Sequence, residues 1–232
     1  MRWNDPIVLT VLWSSATITL YLLAKLLYRR WPYWWLTPLM VTPILLIAIT
    51  VTLHTSYRDY SRGTHWLVTL LGPVTVAFAI PIYQQRALIR RHWPILIVGV
   101  LVGSGTAMVS AWALASLLGL SDSLRLSLLP RSMSTPFAMT VSGDIGGIPD
   151  LTAVFVVFTG VFGAALGEAL LHWLPLRSVL ARGALFGIGA HGAGVAKAHQ
   201  IGREEGSIAG LVMVLVGLLN VLAAPLLAHV LR

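Results

Sequence analysis

Residues 183–199 read GALFGIGAHGAGVAKAH. The apolar part, 183–196, holds 14 residues and no formal charge, and as a helix it reaches only about 21 Å at 1.5 Å per residue. A bilayer core is about 30 Å thick and takes roughly 20 residues to cross. A second stretch has the same character. Residues 126–143 read LSLLPRSMSTPFAMTVSG, with two prolines, Arg131 and a cluster of hydroxyls. Neither makes a good continuous lipid-facing helix. Irregular backbone at membrane depth is tolerated only when it is buried in protein or lines a polar cavity, so both segments are expected to be re-entrant or broken helices.

The surrounding chain sets that expectation in a membrane. It has 232 residues, 57% hydrophobic and only 10% charged, against roughly 25% charged in a soluble domain. Mean hydropathy is +0.83. Long apolar runs occupy 7–27, 36–53, 66–83, 94–120, 151–173 and 207–231, the fifth of these carrying Glu168. Tyr28, Trp31, Tyr33, Trp34, Trp35, Trp66, Trp93 and Trp173 stand at run ends, where aromatic rings meet headgroups. With 183–196 as a further crossing, the fold is an all-α integral membrane protein. About seven transmembrane helices are expected, plus a re-entrant or broken segment, with internal repeats. An N-terminal helix and basic interfacial loop, 1–35, precede the main transmembrane domain, 36–232.

Charge placement orients the chain. With the N-terminus outside, the inner side receives Lys25, Arg29, Arg30, Arg86, Arg90, Arg91, Arg177, Arg182 and Arg232. The outer side receives Asp5, Asp59, Asp122, Asp144, Asp150, Glu204 and Glu205. Basic residues are those retained inside. The net charge of +8 therefore reflects topology and headgroups, not nucleic acid, for which no basic arm or zinc-ligand spacing is present. Absence of cysteine removes disulfides and thiolate chemistry, and no cofactor or metal is expected.

An echo runs through the chain. Irregular pieces at Gly72, Pro130 and Gly189 are each followed by a long apolar helix, starting near Ile95, Leu151 and Ser207, 56 residues apart. GxxxG pairs at Gly99/Gly103, Gly163/Gly167 and Gly206/Gly210 suit close helix packing in lipid. Internal repeats are a habit of transporters.

The polar residues then suggest a site. Ser132, Ser134, Thr135 and Pro136 would form a broken helix whose free amides and hydroxyls bind a carboxylate; otherwise the hydroxyls only ease a proline kink. Around His191, Gly192 and Gly194 would bring backbone amides to an anion and Lys197 would supply charge, unless Lys197 merely snorkels. Thr75, between Pro73 and Pro81, lies where the helix is expected to unwind. Asn220 offers a ligand contact or, more simply, an interhelical hydrogen bond. Glu168, five residues before Trp173, reaches the interface or couples protons. One polar cavity shared by Ser132–Pro136, His191–Lys197 and Thr75 is the expectation. No zinc-protease, nucleophile-elbow, phosphate-loop or dinucleotide motif occurs, so an enzyme is not expected.

Four ordered motifs carry a resemblance: YRDYSRGTHWLVTLLGPVTVAFAIPIYQQR at 57–86, LLPRSMSTPFAM at 128–139, GGIPDLTAVFVVFTGVFGAALG at 146–167 and GIGAHGAGVAKA at 187–198. Together they resemble the LrgB/CidB family of bacterial inner-membrane proteins, from about residue 36 onward. Ala190 and Val195 stand where the family pattern carries hydroxyls, and Glu168 where it carries proline. The resemblance implies a multi-pass protein of the bacterial inner membrane and two functions. One is a secondary transporter of small organic anions, monocarboxylates such as pyruvate, glycolate or glycerate. The other is a regulator of murein hydrolase activity and autolysis, acting with a small LrgA/CidA-like holin-type membrane partner. Expected partners are the anion, the lipid bilayer, that small protein and further copies of the chain. The paired broken helices lean towards transport, because a polar site between repeats is what alternating access needs.

Overall fold

A computed structural model describes residues 6–231, all of whose regular elements are helical. Met1–Val74 and Thr75–Arg232 form two compact units. In the first, α1 (Pro6–Arg30), a 3-10 turn (Trp34–Leu36), α2 (Pro38–Thr52) and α3 (Tyr57–Thr69) follow in order. Gly63 seats α3 on α1: a Cβ there would fall 2.6 Å from the Leu9 carbonyl oxygen. The Ser14 hydroxyl donates to the Gly63 carbonyl at 3.0 Å and accepts from Trp66 Nε1 at 2.7 Å. The N-terminal helix is thus packed with α3. Between α1 and α2, Tyr33 stacks on Trp35 at 4.8 Å and both rings are exposed, as headgroup-level aromatics are.

The proline-rich run is divided into α4 (Leu71–Ala77) and α5 (Ala79–Gln84). Phe78, between them, keeps helical angles, so the chain bends there and does not unwind as expected. Pro73 and Pro81 are each the third residue of their helix. Amides of a first turn have no intrahelical partner, so a proline there removes nothing.

In the second unit α6 (Arg86–Leu117) is followed by α7 (Asp122–Leu128), a 3-10 turn (Leu129–Ser132), α8 (Thr135–Ile145), α9 (Pro149–Trp173), α10 (Val179–Ile201) and α11 (Arg203–Leu231). Six helical runs among the described residues are long and apolar enough to cross a membrane, with Pro38–Thr52 a shorter apolar helix. One of the six, α10, does not cross. His191 has φ 38° and ψ −121°, far from helical, and the chain reverses at that residue.

Glycine contacts map the reversal. On the entering arm, 179–190, Gly183 packs on Glu205 and Ile208, and Gly187 on Ala209 and Val212, so this arm runs parallel to α11. On the returning arm, 192–201, Val195 meets Gly210 and His199 meets Gly206, in the opposite sense. Gly194 lies directly against the Phe186 carbonyl. The two arms therefore form a hairpin against one stretch of α11. Each arm is about 15–18 Å long, half a bilayer core.

The segment 122–145 forms a second hairpin. Its α7 and α8 are joined by the 3-10 turn and by extended backbone at Met133 and Ser134. At its base Thr152 Oγ1, on α9, donates to the Ser127 carbonyl at 2.9 Å and lies 2.7 Å from Ser142 Oγ, while the Ile148 amide donates to Ser127 Oγ at 2.8 Å. Gly146, with φ 91°, closes α8 in the left-handed conformation that glycine favours.

The hairpins enter from opposite ends. Gly160, Gly163 and Gly167 of α9 meet His191, Gly189 and Phe186 in turn, so α9 is antiparallel to the entering arm of α10. The α7–α8 hairpin hangs from the end where α9 begins, and the α10 hairpin from the end where α9 stops. Hairpin plus crossing helix thus occurs twice with inverted topology, and the tips at Thr135 and His191 keep the 56-residue period of the sequence. One assignment changes. Charge placement in the sequence puts Glu204 and Glu205 outside, opposite Arg182, yet the Glu205 carboxylate accepts from Arg182 at 2.6 and 3.1 Å. Because α10 doubles back, α11 starts at the basic end and carries Leu231 to the other. Arg232 and Asp5 lie outside the described residues.

Cysteines introduced at Ser178 and Glu204 are expected to react with an impermeant maleimide from the same side of sealed vesicles, and cysteines at Ser123 and Ile148 from the other. Labelling of positions 178 and 204 from opposite sides would mean that α10 crosses.

Candidate anion site at the hairpin tips

The two tips meet. His191 is 4% exposed, and its ring hydrogen-bonds to the backbone of Arg131 in the opposing turn. Gly160 makes room for the ring: a Cβ there would stand 2.7 Å from the imidazole Cε1. A non-glycine residue with these angles stores roughly 1–3 kcal/mol of strain. Here the imidazole fixed between α9 and the opposing turn holds it. The ring's Nε2 is buried without a hydrogen-bond partner.

The α7–α8 tip shows the same pattern. Ser134 is 6% exposed, and its hydroxyl neither caps α8 nor meets another partner. Thr135 and Pro136 open α8, both half-buried, and Ser132 closes the preceding turn. Met133 and Phe137 bury this end, Phe137 against Gly217 of α11 and 5.3 Å from the Phe78 ring. Arg131 points one guanidinium nitrogen to Thr159 Oγ1 on α9, at 3.4 Å.

Electrostatics at the tips favour an anion. Two half-helices begin here, α8 after Ser134 and the returning arm of α10 after His191, with Gly192 and Gly194 in its first turn. Each start leaves amides without intrahelical partners and carries a partial positive charge. Arg131 adds a full one. An oxyanion between the tips would accept from these amides and from the Ser134 hydroxyl, while the His191 ring, its N–H given to the Arg131 backbone, turns an acceptor nitrogen inward.

The residues anticipated from sequence divide into groups. Ser132, Ser134, Thr135, Pro136, His191, Gly192 and Gly194 are at the tips. Lys197 is not brought to them: six residues beyond His191 on the returning arm, its Nζ lies 2.7 Å from Glu168 Oε1 of α9. The reversal carries Lys197 back past Phe186 to the level of Gly167, next to the acid. Asn220 is also committed. Its amide nitrogen donates to Ser104 Oγ at 2.7 Å and to the Val216 carbonyl at 2.7 Å, while Ser104 donates back at 3.0 Å; it clasps α11 to α6. Thr75 is half-buried in unbroken α4. Thr159 and Gly160 were not anticipated. Thr159 was visible as a polar residue in the middle of an apolar run, but its orientation depends on how α9 packs.

The class of protein defined by this architecture is a multi-pass membrane protein with two opposed re-entrant hairpins. Among known proteins, the model of the LrgB-like family matches residues 17–230, and the chain belongs to that family. Among curated relatives from Bacillus subtilis (strain 168), "Uncharacterized protein YwbG" is 39% identical over 91% of this chain and 94% of its own length. "Uncharacterized protein YxaC" is 38% identical, over 90% and 91%. "Antiholin-like protein LrgB" is 34% identical over 82% of each. No solved structure matches.

Gly163→Ala should lower the melting temperature of the purified protein in detergent. Its Cβ would press on the Gly189 backbone carbonyl, which cannot rotate away, and overpacking of this kind costs about 1–3 kcal/mol. Gly105→Ala, with open space around it, should leave the midpoint unchanged or slightly raised.

Proposed function

We propose that this protein is a secondary transporter of small organic anions, monocarboxylates such as pyruvate, glycolate or glycerate, in the bacterial inner membrane. The observation that carries this reading is the meeting of two half-helix N-termini at buried tips, together with a buried hydroxyl that lacks a partner, Ser134 Oγ. A buried polar atom without a partner costs about 1–3 kcal/mol. Such a hydroxyl beside one arginine makes a site prepared for an oxyanion. Inverted repeats support alternating access, since each hairpin can open towards its own side while the other stays closed. The transporter works as a homo-oligomer in this reading.

A second reading has its own support. The relative named "Antiholin-like protein LrgB" favours regulation of murein hydrolase activity and autolysis, with a small holin-type membrane protein as partner. A partner-dependent regulator has no need of a buried, positively polarised site. The two readings are compatible if autolysis responds to the anion and proton balance that transport sets.

Proteoliposomes containing the purified chain alone should take up radiolabelled pyruvate saturably, with competition from glycolate and glycerate. Release of trapped dyes regardless of size, or no saturable uptake of any monocarboxylate, would refute transport and leave the regulatory reading.

A further inference from the structure

The anion site needs a charge, and the ion pairs of the second unit identify where it can come from. Arg182 is taken by Glu205 and Lys197 by Glu168. Arg125 pairs with Asp122 and lies 5.1 Å from the Trp112 ring centre. Arg86, Arg90 and Arg91 stand at the basic end, where α6 begins. Arg131 differs from all of these. It sits at a hairpin tip, half-buried, about 18 Å of helix and turn from the end where the hairpin enters.

Its partners are few. A guanidinium offers five N–H donors, and a single hydrogen bond, the 3.4 Å contact with Thr159 Oγ1, is made by the side chain. None of the ion pairs among the described residues includes it. A cation at this depth without an acid is expensive in a membrane protein and is retained where it has a task. Ser134 Oγ and His191 Nε2, both more than nine-tenths buried and unpartnered, lie on the two tips that meet at Arg131.

We propose that Arg131 is the anion-recognising residue of this protein, its guanidinium held by Thr159 to receive a single carboxylate between the hairpin tips. The inference rests on the transport reading and deepens it. A guanidinium matches a carboxylate with two parallel N–H donors, and the half-helix amides and the Ser134 hydroxyl complete the shell. One uncompensated positive charge is neutralised by one negative charge, so a monocarboxylate leaves the closed site neutral and a dicarboxylate does not. Lys197, by contrast, fastens the α10 hairpin to α9 through Glu168 and contributes no charge to the anion.

The test uses the full chain in proteoliposomes with radiolabelled pyruvate, and the melting temperature of each variant in detergent with and without pyruvate. Arg131→Gln should keep its ligand-free melting temperature, lose stabilisation by pyruvate, and raise the half-saturation concentration by about ten- to hundredfold. Arg131→Lys keeps the charge but not the paired donors and should fall in between; Thr159→Val should raise half-saturation more mildly. The double variant Glu168→Gln/Lys197→Gln should retain wild-type half-saturation. Wild-type half-saturation in folded Arg131→Gln overturns the assignment while leaving transport intact. Should Arg131→Gln fail to fold, unchanged half-saturation in Arg131→Lys overturns it equally. If the wild-type chain neither takes up nor is stabilised by any monocarboxylate, the transport reading itself has failed, and the role of Arg131 falls with it.

Discussion

The second unit is organised around one requirement: a chain that turns back inside the membrane must hide the ends of its own helices. At His191 the entering arm leaves its last carbonyls unpaired and the returning arm its first amides. Lipid can satisfy neither, and each unpaired group in hydrocarbon costs several kcal/mol. Protein must therefore enclose the turn. The glycines supply the enclosure. Gly194 brings the returning arm onto the Phe186 carbonyl, Gly183 and Gly187 let the entering arm lie on α11, and Gly160 and Gly163 let α9 close over the tip. A side chain at most of these positions would hold the backbones apart and leave the tip open to lipid.

Once the turn is enclosed, its polarity becomes concentrated. The α7–α8 hairpin has the same difficulty and a different means of support. At its base the Ser142 and Thr152 hydroxyls bind each other, Thr152 also reaches the Ser127 carbonyl, and the Ser127 hydroxyl takes the Ile148 amide. The α10 hairpin is instead fastened at its base by charge, Arg182 to Glu205 and Lys197 to Glu168. Each hairpin is thus well paired where it meets the bilayer surface and under-paired at its tip. That gradient focuses the free amides, Ser134, His191 and Arg131 on one region between the two repeats.

The inverted repeat gives a physical reason why the tips coincide. A hairpin of about 15–18 Å arms entering from either end of a core about 30 Å thick reaches the middle and stops there. Two such hairpins, packed against the shared helices α9 and α11, bring their tips to the same depth. Membership of the LrgB-like family places this arrangement among proteins of which one relative bears the name antiholin-like. The arrangement is built around a buried polar centre.

Much of this was legible in the residues themselves. Long apolar runs bounded by aromatics and arginines determined a helical membrane protein, because charge and backbone both have few permitted places in a bilayer. The 14-residue length of 183–196 and the prolines of 126–143 determined that these segments break, and the 56-residue echo that they are related. The hydroxyl cluster and His191 stood out as polar groups that hydrocarbon would not tolerate. What the sequence left open was the direction of the chain after each break, because a kink and a reversal have the same composition. Tertiary structure decided it at a single residue, His191, through backbone angles that only surrounding contacts can hold. From that reversal follow the pairing of Lys197 with Glu168 and the return of Glu205 to Arg182. Partnership between charges distant in the chain depends on which helices are neighbours, and no local pattern records that.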